Sequence, residues 1–171
     1  MKMLINVLSL AVLFTFSSGC KKESKNTTQN FMRFTLNGTH VGCDKNFGAT
    51  YKTTSGPDAN ITFHAGWDDN ALDFQLFTYT TDITPGQYVF APNKAYAAQI
   101  WPQGTATSPG IHPSYIAGTF VPFPTIEGSG QITIIEINAD HISGSFDFVT
   151  GVNSGTGLSM TVTDGLFDIR R

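Results

Sequence analysis

The sequence predicts an all-β domain, an antiparallel β-sandwich of about ten short strands, with a flattened β-barrel as the alternative. Three observations carry that expectation. From Phe31 onward no stretch of about 12 or more residues places apolar side chains at helical spacing. Apolar and polar residues alternate with period two in one short run after another. The 17 Gly and 8 Pro fall largely between those runs, where turns need them. So many strands are too many for one flat sheet, which is why two packed sheets or a closed one are expected.

The runs follow one another closely. Phe31 to Leu36 leads into Asn37-Gly38, a pair that accepts the positive φ of a tight hairpin, and the chain returns as Thr39 to Gly42. Phe47 to Thr53 forms the next strand, closed by Ser55-Gly56-Pro57-Asp58. Asn60 to Trp67 precedes an Asp68-Asp69-Asn70 turn, after which Leu72, Phe74 and Leu76 alternate with Asp73 and Gln75. Thr84-Pro85-Gly86 turns the chain into a strand from Gln87 to Ala91.

The last third repeats the rhythm. Gly130 to Asn138 reads as a strand in which Ile134-Ile135 breaks the alternation, and that break predicts a bulge. Ala139-Asp140 makes the turn, and Ile142, Phe146 and Phe148 then face one way while Ser145 and Asp147 face the other. Leu158, Met160 and Val162 form a further inward set, and Asp164-Gly165 reads as a two-residue turn into Leu166 to Ile169. Phe146, Phe148, Met160, Val162, Phe167 and Ile169 are expected to share one core face. Between Pro92 and Gly128 the rhythm fails. Prolines at 92, 102, 109, 113, 122 and 124 remove ladder donors, so this segment is expected to be loop or edge with one strand near Tyr115 to Val121.

Two C-terminal motifs, Ile142-Ser143-Gly144-Ser145-Phe146-Asp147-Phe148 and Thr163-Asp164-Gly165-Leu166-Phe167-Asp168-Ile169, resemble a family of Bacteroidota lipoproteins of unknown function. That family pairs an I-S-G-T-F-S-F strand with a final T-x-G-x-F-x-V hairpin. Thr84-Pro85-Gly86-Gln87-Tyr88 is similar to its middle G-x-Y strand. The resemblance covers the last 45 residues or so, and its motifs are structural: glycines at turns and bulges, Phe and Ile for a core. It implies an all-β fold and an envelope location, and it carries over no functional residues.

The front of the chain predicts the address. Lys2 is a positive start, and Leu4 to Phe16 is an apolar run of thirteen residues. Such a helix covers about 20 Å, too short for a hydrocarbon core of about 30 Å. The run therefore reads as a secretory signal, residues 1–19, ending in Ser17-Ser18-Gly19 before Cys20. Cys20 resembles the lipid-attachment residue of a bacterial lipoprotein, with Ser17 where the common motif has Leu. Its thiol is the one side chain here able to form the thioether to a diacylglycerol. Two or more acyl chains, palmitate among them, would hold the protein, each buried CH₂ contributing about 0.8 kcal/mol. The alternative is ordinary cleavage and a soluble secreted protein. Residues 20–30 are polar up to Phe31, as a tether should be, and residues 31–171 form a single all-β domain. The expected address is the cell envelope, lipid-anchored at the outer membrane, with the face left open.

Charge and chemistry narrow the function. A net charge of −3 with ten Lys and Arg argues against a nucleic-acid partner. Once Cys20 is lipidated, Cys43 has no second thiol to pair with and reads as a small buried hydrophobe. No nucleophile elbow, zinc-protease helix, phosphate loop or paired C-x-x-C occurs. His40, His64, His112 and His141 lack metal-ligand spacing, and Asp68-Asp69-Asn70 reads as a turn, so neither metal nor cofactor is expected. The remaining candidate is aromatic: Trp101, Tyr115 and His112, beside Tyr96, Phe120 and Phe123, lie in or near the Pro-rich segment. Exposed rings there would suit a glycan or peptide ligand, whereas buried ones would cap the sandwich. The expectation is a membrane-anchored lipoprotein with a non-catalytic binding or accessory domain. The alternatives are a hydrolase of envelope or dietary polymers and a structural subunit of a surface complex that pairs through an exposed strand edge.

Overall fold

The computed structural model describes residues 29–52, 59–78, 83–92, 94–102, 114–119 and 127–170. Among these the chain forms β1 (Phe31–Leu36), β2 (Thr39–Cys43), β3 (Lys45–Lys52), β4 (Ala59–Trp67), β5 (Asn70–Thr78), β6 (Gly86–Val89), β7 (Ala95–Trp101), β8 (Tyr115–Gly118), β9 (Ser129–Ile137), β10 (His141–Val149) and β11 (Thr161–Arg170). Sheet A has the order β2-β1-β11-β10-β9-β6, and sheet B the order β3-β4-β5-β7-β8. Every pairing is antiparallel, and neither sheet closes into a barrel. The architecture is a sandwich. The signal segment, Cys20, most of the tether, the Ser55 to Asp58 turn, His112, Phe120 and Phe123 lie outside the described residues.

The inner faces meet through stacked rings. Phe63 of sheet B lies 4.7 Å from Phe74 and 4.6 Å from Phe167 of sheet A, centroid to centroid, and Phe74 lies 4.7 Å from Phe146. Such pairs contribute about 0.5–1.5 kcal/mol each beyond the area they bury. Phe146, Phe148, Val162, Phe167 and Ile169 are all in this core, and Met160 packs against it half-buried. Trp67 plugs the same layer edge-on to Phe34, with ring centroids 5.2 Å apart.

Bulges keep the apolar set inside. In β9 the partner register passes from Ser143–Glu136 to Gly144–Ile134, leaving Ile135 as the extra residue the sequence predicts. It is 65% exposed, while Ile132 and Ile134 are buried and Ile137 packs against the core. The final strand departs from expectation. Asp164-Gly165 is not a hairpin turn: β11 runs unbroken from Thr161 to Arg170, and Asp164 (φ 56°) is a bulge against both neighbours. The extra residue shifts the inward parity from Val162 to Gly165, Phe167 and Ile169, which keeps Asp164, Leu166 and Asp168 out of the core. Gly165 has to be small, because a Cβ there would stand 2.3 Å from the Phe146 ring. The expected strand at Leu158 to Met160 is loop instead, and Leu158 is exposed.

The second correction lies in the Pro-rich segment. It contains β7, seven residues long and paired with both β5 and β8. No proline falls between Ala95 and Trp101, so the ladder is intact. Alternation is missing because both faces are covered: Ala98 and Ile100 join the core, while Ala97 and Gln99 are buried on the other side.

Candidate functional site

The outer face of sheet B carries a polar row that the hairpin geometry assembles. Trp67 pairs with Asn70 across the tight Asp68-Asp69 turn, where Asp68 takes φ 46°. Counting outward along the two strands brings His64 opposite Asp73. Asp73 in turn faces Gln99 on β7, and Gly48 of β3 faces His64. Gly48 leaves room for the imidazole, since a Cβ at that position would approach His64 Cε1 to 2.6 Å. Trp101 lies two residues beyond Gln99 on the same face.

Within this row Asp73 is half-buried and His64 is exposed. Burial pushes the Asp73 carboxyl above its ordinary range, against the opposing pull of His64 and of the Trp101 indole N–H. That N–H is itself buried and closes no hydrogen bond of good geometry with any described residue, while the rest of the indole is partly exposed. The Asp73 carboxyl offers acceptor oxygens at this half-buried position. With an imidazole and an indole beside it, the row offers hydrogen bonds and a flat apolar surface to an uncharged polar ligand.

The aromatic candidates of the Pro-rich segment separate in the fold. Trp101 stands on this outer face. Tyr115 is 5% exposed and belongs to the core, with its hydroxyl 3.0 Å from Thr156 Oγ1. The loop after β10 fastens that end: Gly151 N–H donates to the Ile116 carbonyl at 2.8 Å, and Asn153 Nδ2 to that of Ser114 at 2.8 Å. Tyr115 therefore caps the sandwich, and the pairing of Trp101 with Tyr115 on one platform does not form. Tyr96 packs edge-on against Tyr88, with centroids 5.3 Å apart.

Cys43 is half-buried against the core, and burial, with the Asp44 charge second, pushes its thiol up to about 12. At neutral pH it is a protonated, unreactive group. Among the described residues no three His, Cys, Asp or Glu side chains stand together as a metal site would require.

The sequence holds a signal for His64 and Asp73 that an assumed Asp68-Asp69-Asn70 turn conceals. A two-residue turn at Asp68-Asp69 places the two residues opposite each other, whereas a three-residue turn does not. Gln99 and Trp101 join the row through a pairing of β5 with β7 that no local pattern announces.

No curated protein and no solved structure matches the chain. A match of another kind covers residues 44–168, from the residue before β3 into β11, and its family is described as a domain of unknown function (DUF6252). Spanning most of the sandwich, this match shows that the chain belongs to the DUF6252 family.

Proposed function

We propose that this chain is an envelope lipoprotein of the outer membrane, anchored through Cys20, whose sandwich is a non-catalytic binding module for an uncharged polar ligand such as a glycan or a peptide side chain. The anchor reading rests on the apolar run Leu4 to Phe16, the small residues before Cys20 and the polar tether after it. The binding reading rests on one observation: the Trp101 indole lies on the outer face of sheet B with Asp73, whose carboxyl is held partly out of water. Partial desolvation of a carboxyl costs stability, and such groups concentrate at functional sites.

Two experiments test the two halves. Cys20→Ala should release the protein from the membrane fraction or block its maturation, and a variant that matures and stays membrane-bound overturns the anchor. Glycan and peptide arrays probed with the full chain should show a ligand that Trp101→Ala abolishes, with the melting temperature within a few degrees of wild type. Lost stability with no array ligand would assign Trp101 to packing alone.

A further inference from the structure

The hairpin of β1 and β2 closes one side of sheet A, and its turn dictates which backbone groups of β2 face outward. Asn37 and Gly38 both have positive φ, 48° and 84°, so Leu36 and Thr39 close a two-residue loop and exchange both ladder bonds. Alternation then turns Val41 and Cys43 towards β1, and the N–H and C=O groups of His40, Gly42 and Asp44 away from it. Asp44 obeys this parity, since its N–H donates to the Gly66 carbonyl of β4 at 3.1 Å. His40 and Gly42 are exposed and make no such outward backbone bond to any described residue. Among the described residues they form a short bare edge.

Space lies on both sides of that edge. A cleft of about 470 Å³ has His40, Val41 and Gly42 on its lining together with Trp67, Asp68 and Asp44. A second groove of about 530 Å³, on the outer face of sheet A, shares the same stretch of β2 and reaches Arg33, Asp164 and Leu166. An added strand sends successive side chains to opposite faces, so its two sets would meet these two spaces. The cleft is acidic: Asp44 and Asp68 are both exposed, and no described Lys or Arg lines it. From Phe31 to Arg171 the chain carries twelve Asp and Glu against six Lys and Arg. A second copy of β2, Thr39 to Cys43, would bring no Lys or Arg to the cleft.

We propose that the free edge of β2 binds an extended basic peptide segment of a partner protein by strand addition, hydrogen-bonded to His40 and Gly42 with a Lys or Arg facing Asp44 and Asp68. This site is separate from the Trp101 face and does not depend on it.

The test uses the full chain and a fluorescent seven-residue peptide, Thr-Val-Lys-Val-Lys-Val-Thr, followed by anisotropy against a control with Glu for Lys. The basic peptide should bind and the acidic one should be at least about ten-fold weaker, the ratio that modest charge pairing supplies. Gly42→Pro removes the outward N–H without costing a β1 ladder bond, and nothing lies within 4 Å of a Cβ at that position. It should abolish binding. Where that variant melts early, Asp44→Asn with Asp68→Asn should still weaken the basic peptide about ten-fold. Trp101→Ala should leave the affinity unchanged. Equal binding of both peptides, or an affinity untouched by Gly42→Pro and by the double Asn variant, overturns the proposal. Binding that emerges only after Lys21, Lys22 and Lys25 are changed to Gln overturns it in favour of the chain's own tether. A concentration-dependent dimer lost in Gly42→Pro overturns it in favour of a second copy.

Discussion

β11 and β7 occupy equivalent places, each with a hydrogen-bonded strand on both sides, yet they are built differently. β11 has one dry face, carrying Val162, Phe167 and Ile169, and one wet face, carrying Thr161, Thr163 and Leu166. β7 is dry on both: Ala98 and Ile100 point into the sandwich, while Ala97 and Gln99 are buried outside it. The contrast teaches that alternation marks a half-solvated strand, not strands in general. It also separates two uses of the sandwich. The aromatic layer over β10 and β11 supplies packing, and the outer face of sheet B holds the half-buried Asp73 carboxyl beside the exposed His64.

The contrast can be pressed by substitution. Phe146 sits against Phe34, Phe74 and Phe167, so Phe146→Ala should cost about 3–5 kcal/mol in urea unfolding, the largest effect expected here. A variant as stable as wild type would place the ring outside the core. On β7 the outer side should behave as a second interior: Ala97, fully buried there, should lose about 1–3 kcal/mol on change to Leu. An unchanged midpoint would return that face to solvent and erase the distinction from β11.

Asp73→Asn comes next, and its sign depends on pH. The carboxyl of Asp73 is raised in the fold above the ordinary 3.8. Below that value both folded and unfolded forms are protonated, and the wild type loses nothing. As pH rises through the raised value, the folded chain must ionise a half-buried group that the unfolded chain ionises in water. The Asn variant should therefore melt higher than wild type at neutral pH, with the gap closing near pH 3.8 and below. A gap that widens in acid would mean that the charge is stabilised in place. The smallest effect belongs to the wet face of β11. Leu166 is 36% exposed, and Leu166→Ser should shift stability by no more than about 0.5 kcal/mol.

The sequence alone determined the strand class, the tight turn at Asn37-Gly38, the bulge at Ile135 and the inward set from Phe146 to Ile169. Each of these is a local matter: a residue that accepts positive φ, or a parity that one wet face enforces. What only the tertiary structure decided depends on neighbours far along the chain. Asp164-Gly165 carries the residues of a turn, and it became a bulge because β1 and β10 flank β11 on both sides and hold it extended. β7 gave no periodic signal because its second face is covered. Tyr115 turned inward because the loop after β10 pins that end, whereas Trp101 turned outward to Asp73 through the pairing of β5 with β7. Burial from two sides and pairing across distant strands are properties of the assembled sheets, and no window of sequence contains them.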